Sequence, residues 1–251
     1  QPLEQEPVSV SPSDQPGDGF SYFSSISGDG RNIAFRTEAT NLLVGLQTES
    51  SALILRDRIT HENRCLATDV NLNLCRGGVS PVISEDGEWA AFGTWASLVA
   101  EDTNNFRDVY LYRVADQSLH LVSKGMDGQA GNHQSGIGTI SISGDGNFVL
   151  YGSDASNLIA GDTNGETDLF VYDRAADSTE LVTVNSKQEQ AIHNQFAFPG
   201  PASAISLDGR YIAFLSSASN LDLWDLNTEE DLFLRDRQNQ TTNRVVLPRQ
   251  A

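Results

Sequence analysis

Acidic and amide side chains recur in one short pattern, Asp-x-Asn-x-x-x-Asp, and they are the residues best suited to chemistry. The pattern occurs three times, at Asp102, Asn104 and Asp108, at Asp162, Asn164 and Asp168, and at Asp225, Asn227 and Asp231. Oxygen atoms at the first, third and seventh positions of a loop can surround a hard cation, and calcium takes about six to eight such ligands. The pattern lacks the central glycine and the distal glutamate of an EF-hand loop, so the predicted calcium sites would bind weakly.

The same side chains have a second interpretation that needs no metal. Asp and Asn cap their own backbone in Asx turns, and a repeated turn needs the same residues each time. The sequence leaves calcium binding and simple turns as equal alternatives. In the first copy of the repeat described below, residues 46–50 lack both aspartates, so no site is expected there.

Two cysteines, Cys65 and Cys75, lie ten residues apart, and only one pairing is possible between them. A disulfide that closes a loop of that length contributes about 2–3 kcal/mol in the chain-entropy description. No second Cys or His pair lies nearby at metal-ligand spacing, which disfavours a zinc site. We predict the disulfide, and with it an exported protein, against the alternative of two free thiols in the cytosol.

A candidate binding group lies in the connections between repeats and consists of His133, His193, Asn194 and Gln195. If these connections share one axial face, the imidazoles and amides would suit a transition metal or a polar substrate. The alternative is that the histidines only bond to neighbouring backbone. No metalloprotease, nucleophile-elbow, phosphate-loop or dinucleotide motif occurs, so no catalytic residue is assigned.

Charge and composition exclude several classes of partner. The 251 residues carry 16 Lys and Arg against 34 Asp and Glu, a net charge of −18. This charge repels nucleic-acid phosphates and anionic membrane surfaces. Apolar residues make up 39% of the chain, and no run approaches the roughly 20 apolar residues of a membrane-spanning helix. The polar opening, residues 1–4, is typical of a secreted chain after leader cleavage.

The elements that must position these residues come from an internal repeat. Each of four copies has a short alternating strand, a Ser-x-Asp-Gly turn and a second strand, and the turn aspartates are Asp29, Asp86, Asp145 and Asp208. Asp-Gly between two β-rich runs predicts a hairpin, because glycine accepts the positive φ of a tight primed turn. We interpret these aspartates as turn residues rather than as the paired carboxylates of a glycosidase.

Two further strands follow in each copy, which gives four strands in every 60 or so residues. The third strands are residues 52–55, 109–112, 169–172 and 232–235. Such small sheets cannot bury both faces alone and must stack. We therefore predict one all-β domain over residues 1–251, a β-propeller of four four-stranded blades at about residues 20–69, 77–124, 135–184 and 198–247. A single β-sandwich would explain the strands but not the repeat.

Residues 7–10 resemble the fourth strand of the repeats and are one strand too many. An unpaired edge strand invites association with another chain. We expect this extra outer strand to pair with a sheet edge, with another subunit, or with further repeats of a longer array.

The repeat resembles the TolB-like, or WD40-like, β-propeller repeat of exported bacterial proteins. The fourth copy carries the pattern best, in residues 206–214, 217–221 and 231–237, whereas the second copy has Arg113-Val114 in place of Asp-Arg. The resemblance covers about residues 8–247. It implies a propeller fold and export, and such propellers serve as binding platforms, assembly partners and, less often, enzyme domains.

The sequence therefore favours an exported, acidic β-propeller that binds a protein or a glycan, or acts in assembly, with calcium stabilising its loops. The expected location is extracellular or periplasmic. Two alternatives remain open: a carbohydrate-active enzyme with its site around His133, Asn194 and Gln195, and an extracytoplasmic subunit of a larger membrane-associated complex. Convergent titratable groups on the axis would indicate the enzyme, and an exposed apolar face would indicate the module.

Overall fold

The computed structural model describes residues 6–45, 47–48, 50–69, 74–192, 202–222, 225 and 229–245. In this part of the chain the secondary structure consists of 19 β-strands without a helix. Accordingly, these residues contain no helix that could cross a membrane. The all-β prediction is confirmed.

Sixteen strands form four antiparallel sheets, each with its four strands in chain order. Sheet 1 contains β1 (Ser21–Ile26), β2 (Asn32–Thr37), β4 (Ala52–Asp57) and β5 (Glu62–Cys65). Sheet 2 contains β8 (Val79–Ile83), β9 (Trp89–Thr94), β10 (Asp108–Arg113) and β11 (Leu119–Leu121). Sheet 3 contains β12 (Ser135–Ile142), β13 (Phe148–Ser153), β14 (Asp168–Asp173) and β15 (Ser178–Leu181). Sheet 4 contains β16 (Ser203–Ile205), β17 (Tyr211–Ser216), β18 (Asp231–Asp236) and β19 (Thr241–Arg244). A small separate sheet contains β3 (Gln47–Thr48), β6 (Thr68–Asp69) and β7 (Leu74–Cys75).

The Ser-x-Asp-Gly segment connects the first two strands of every sheet. In all four segments the serine hydroxyl donates to the aspartate Oδ1 at 2.5–2.7 Å. The same Oδ1 accepts the backbone N–H two residues later at 2.9–3.1 Å. The connection is five residues long, and only the glycine after the aspartate has a positive φ, between 65 and 72°. The turn is therefore longer than the predicted primed turn, but its aspartates make the turn, as predicted.

The four sheets stack face to face in a row. Leu53 and Leu55 of β4 pack with Phe92 and Tyr110 of sheet 2 in one buried cluster. Equivalent clusters join sheet 2 to sheet 3 and sheet 3 to sheet 4. The first strands lie side by side, β1 against β8, β8 against β12 and β12 against β16. The sheets thus bury their apolar faces by stacking on one another, which is the packing of a propeller.

The face of sheet 4 that points away from sheet 3 has more exposed side chains than the equivalent faces of sheets 1, 2 and 3. Leu232 and Leu234 of β18 are 42% and 37% exposed, whereas the equivalent side chains of sheets 1, 2 and 3 are at most 2% exposed. Backbone pairing does not join the described strands of sheet 1 to those of sheet 4. The described residues form four four-stranded sheets and do not close them into a ring, so the count of four blades stays a prediction.

Residues 7–10, predicted as an extra outer strand, form no strand ladder. Val10 makes an isolated bridge to Pro16, equivalent to the bridges Lys124–Ala130 and Val184–Gln190 that follow sheets 2 and 3. Val8 packs against the apolar face of sheet 1. Residues 7–10 therefore correspond to the end of a fourth strand, and residues 11–16 to the turn that follows it. None of the four sheets contains a strand that pairs with residues 7–10.

Cys65 and Cys75 form the predicted disulfide, with their Cα atoms 5.7 Å apart. Cys65 ends β5 and Cys75 ends β7, so the bond ties sheet 1 to the small separate sheet. Both cysteines are buried in the apolar cluster of sheet 1.

Candidate functional site

The acidic loops are named here by their sheets: loop 2 (residues 102–108), loop 3 (162–168) and loop 4 (225–231). The last aspartate of each loop is the first residue of the third strand. In loop 3, the side-chain amide nitrogen of Gln190 donates to Asp162 Oδ1 at 2.8 Å and to Asp168 Oδ2 at 2.9 Å. One atom therefore contacts both carboxylates, so the loop brings them to a common point.

Loop 2 has the same two carboxylates without the bridging amide. Asp108 is fully buried and Asp102 is 5% exposed. The Ser123 hydroxyl donates to Asp108 Oδ1 at 2.6 Å, and the Tyr110 hydroxyl donates to Asp102 Oδ2. The other two oxygens, Asp102 Oδ1 and Asp108 Oδ2, are buried and accept no hydrogen bond. These are the atoms whose counterparts in loop 3 accept from Gln190.

The turn that follows each sheet explains this difference. Lys124 pairs with Ala130 after sheet 2, and Val184 pairs with Gln190 after sheet 3, so Ala130 and Gln190 occupy equivalent positions. A methyl group cannot donate a hydrogen bond. Loop 2 therefore holds two buried carboxylates with no side-chain donor at the position from which loop 3 receives one.

Burial changes the acidity of these aspartates. Desolvation raises the pKa of Asp108 to about 7; the Ser123 hydroxyl and the Asn104 side chain oppose the rise, and the charge of Asp102 adds to it. Desolvation likewise raises the pKa of Asp168 to about 6, against hydrogen bonds that include the one from Thr183. Ionised carboxylates in such surroundings need a donor or a cation to offset their desolvation.

The predicted asparagine ligands of loops 2 and 3 take part in turns. Asn104 Oδ1 accepts the backbone N–H of Phe106 at 2.7 Å, and its amide donates to the Gly131 carbonyl at 2.9 Å. Asn164 Oδ1 accepts the N–H of Glu166 at 3.0 Å in the same way. These are Asx turns. The third predicted asparagine, Asn227, lies outside the described residues.

In loop 4 an arginine meets the acidic side chains. Arg244 of β19 lies 3.1 Å from Asp231 Oδ2 and 3.7 Å from Asp225 Oδ1. A guanidinium is a permanent cation with several donors, so it neutralises this loop from within the chain. In sheet 1, Ala52 takes the place of the strand-initial aspartate, and that repeat has no carboxylate there.

The sequence patterns did not single out Gln190, Ala130 or Arg244. The first two sit in the turn that connects one repeat to the next, 22 residues after the aspartate that begins the third strand. An alignment of these connecting turns would have found the exchange of glutamine for alanine. Among the described residues, no three His, Cys, Asp or Glu side chains converge.

His133 is the one member of the predicted axial group that the described residues include. Its ring stacks on Phe106 with centroids 4.8 Å apart, and its Nδ1 lies 3.4 Å from Asp154 Oδ2. The imidazole is half exposed. His193, Asn194 and Gln195 lie outside the described residues. In the described part of the chain, His133 contacts an aromatic ring of loop 2 and one carboxylate.

The ends of the row of sheets form a second candidate region. At two of the three junctions between neighbouring sheets, an arginine after the third strand stacks over an aromatic ring of the preceding sheet. At the junction of sheets 1 and 2 these positions are Val114 and Asn32. Arg174 lies over Trp89 and Arg237 lies over Phe148, each 4.1 Å from the ring centroid. This contact joins sheet 3 to sheet 2 and sheet 4 to sheet 3.

At the ends of the row the two halves of this contact are apart. Tyr211 takes the aromatic position in sheet 4; it is 36% exposed, and the neighbouring Arg210 lies 4.7 Å from its ring centroid. Arg58 takes the arginine position in sheet 1 and pairs with Glu6. Beside it, the outer face of sheet 1 has an apolar cleft of about 370 Å³, lined in part by Ile33 and Phe35.

No protein-family model and no curated protein sequence matches the chain. Solved structures match it in fold. A chain assigned as TolB from Agrobacterium tumefaciens has a TM-score of 0.51 at 16% identity, over 93% of this chain and 64% of that chain. Dipeptidyl peptidase 4 of Porphyromonas gingivalis has a TM-score of 0.51 at 14% identity, over 88% and 32% of the two chains. Acylaminoacyl peptidase of Pyrococcus horikoshii has a TM-score of 0.51 at 12% identity, over 91% and 33%.

The chain spans less than two thirds of the length of each of these three proteins. Their sequence identity is low, and a shared fold by itself carries no function. The stacked four-stranded sheets and these likenesses together give the chain a TolB-like β-propeller fold.

Proposed function

We propose that the chain is an exported β-propeller module that functions in assembly, and that the face of sheet 4 docks a second copy of the chain. The observation that carries this proposal is the exposure of Leu232 and Leu234 at positions that are buried in every other sheet. In a stacked repeat each apolar face is covered by the next sheet. A further sheet of the same repeat is therefore the partner that fits this face.

The outer face of sheet 1 is complementary to it. Ile33 and Phe35 are the counterparts of Ala90 and Phe92, which pack with the leucines of sheet 1 in the first buried cluster. Ile33 and Phe35 are 8% and 3% exposed and belong to the cluster against which Val8 packs. The apolar cleft that they help to line lies where a preceding sheet would pack. The leucines of β18 in a second copy would fill this cleft.

The register of the arginine contact favours the same arrangement. Arg58 is the counterpart of Arg174 and Arg237, each of which stacks on a ring of the preceding sheet. In the docked pair, Arg58 of one copy would stack over Tyr211 of the other. Such a contact is worth about 0.5–2 kcal/mol, and it would replace the pairing of Arg58 with Glu6.

Two such contacts related by a two-fold axis would join the eight sheets of two copies into one ring. Propellers have about four to eight blades, and a head-to-tail contact gives a closed assembly when its rotation closes. The ring would present its loops to a protein or glycan, alone or within a larger complex. The disulfide, the acidic composition and the TolB-like fold support an extracellular or periplasmic location.

Sedimentation velocity over a range of protein concentrations tests the proposal. We expect a dimer for the wild-type chain and a monomer for Leu232→Glu, because docking would bury an unpaired carboxylate. Met126→Glu is the matched control: Met126 is 65% exposed in the turn after sheet 2, and this variant is expected to stay dimeric. A monomeric wild-type chain, or a dimer that Leu232→Glu leaves intact, would overturn the proposal.

A further inference from the structure

We propose that loop 2 binds a divalent cation of the calcium type between Asp102 and Asp108, and that loops 3 and 4 do not. This site uses none of the residues of the end faces, so it is independent of the assembly proposal. Its failure would leave that proposal unaffected.

Loop 3 provides the geometry for the site. There, one nitrogen of Gln190 lies 2.8 Å from Asp162 Oδ1 and 2.9 Å from Asp168 Oδ2. The corresponding atoms of loop 2, Asp102 Oδ1 and Asp108 Oδ2, are buried and accept no hydrogen bond. A cation at the place of that nitrogen would contact both oxygens.

Charge gives the second part of the argument. Two neighbouring buried carboxylates are costly unless something offsets their charge. Loop 3 offsets it with the amide of Gln190, and loop 4 with the guanidinium of Arg244. Loop 2 has Ala130 at the position of Gln190 and lacks this donor, so a cation from solution would offset the charge of its carboxylates.

The donor atoms determine the kind of cation. Carboxylate oxygens suit calcium and magnesium better than the softer transition metals. Two carboxylates supply only part of the six to eight or so oxygens that calcium takes, so backbone carbonyls and water would supply the rest. We expect a Kd of about 10⁻⁴–10⁻³ M, as in other extracellular modules.

Thermal unfolding with calcium or with a chelator, and terbium luminescence excited through tyrosine, test the proposal. Terbium replaces calcium on oxygen ligands, and Tyr110, whose hydroxyl donates to Asp102, would sensitise it. Calcium at 100-fold its Kd is expected to raise the Tm by about 5–10 °C. Excess calcium is expected to quench the terbium emission.

Two variants locate the response. Ala130→Gln brings the amide of loop 3 into loop 2, and Asp108→Asn removes a charge while keeping the side-chain volume. Both are expected to lose the Tm shift and the emission, whereas Gln129→Ala, an exposed position beside Ala130, is expected to keep both. If the wild-type chain shows neither the Tm shift nor the emission, loop 2 holds only water or a proton, and the proposal is overturned. If both variants keep the two responses, the cation binds outside loop 2, and the proposal is likewise overturned.

Discussion

Loops 2 and 3 share one sequence pattern and one backbone turn, yet their carboxylates have different surroundings. In loop 3 the two aspartates share a donor, Gln190, whereas in loop 2 the oxygens at the same place accept no hydrogen bond. The deciding residue lies outside the pattern, in the turn that leads to the next sheet. A repeated motif therefore fixes where the carboxylates lie, and a neighbouring segment decides what they can bind.

A second difference lies on the other side of the carboxylates. Tyr110 of β10 donates to Asp102 of loop 2 and accepts the backbone N–H of Leu98 at 3.2 Å. Beside loop 3 the equivalent residue of β14 is Phe170, which has no hydroxyl. Loop 2 is thus held by a hydroxyl on the strand side, and loop 3 by an amide on the turn side.

The largest effect is expected from Tyr110→Phe, which gives loop 2 the ring of loop 3. It removes the hydroxyl that donates to Asp102 Oδ2 and that accepts the N–H of Leu98, and each unsatisfied buried group costs about 1–3 kcal/mol. We expect the free energy of unfolding in chelator to fall by about 2–3 kcal/mol, measured by urea denaturation.

Tyr112→Phe is the control for that measurement. Tyr112 lies on the same strand, and the Arg64 guanidinium lies near its buried hydroxyl without a hydrogen bond of normal geometry. Its removal is expected to change the unfolding free energy by less than about 0.5 kcal/mol. Equal losses in the two variants would mean that the Tyr110 hydroxyl does not hold loop 2.

A smaller effect is expected from Gln190→Ala, which makes loop 3 resemble loop 2. The loss of the shared donor is expected to lower the unfolding free energy in chelator by about 1–2 kcal/mol. The same variant is expected to gain a second calcium-dependent rise in Tm, because Asp162 and Asp168 then lose the donor that they share. A loss no larger than that of Gln129→Ala would argue against the bridge.

The smallest effect is expected from Ala130→Gln in the absence of calcium. The new amide would donate to two oxygens that have no partner, which is expected to add about 0.5–1 kcal/mol to the unfolding free energy. Urea denaturation in chelator measures the gain. A destabilised variant would show that the space beside Ala130, which is 8% exposed, does not accept the longer side chain.

Many of the strands and turns could be predicted from local sequence. The third strand of sheet 3 was predicted at residues 169–172 and forms β14 (Asp168–Asp173). Asp-Gly turns and alternating strands are local features, because backbone conformation and side-chain period act over a few residues. The exact form of the turn was not predictable, since Asp-Gly occurs in two-residue and in longer connections.

The sequence by itself determined the repeat, the strands of its sheets, the turn aspartates and the acidic loops, because each of these depends on neighbouring residues. It also determined the cysteine pair, because the chain has only two cysteines. Only the tertiary structure decided that Gln190 and Arg244 meet two of the acidic loops, that Asp102 and Asp108 are left with unpartnered oxygens, and that Leu232 and Leu234 are exposed. The physical reason is that desolvation and hydrogen-bond satisfaction depend on every group within a few ångströms, and stacking brings those groups from distant parts of the chain.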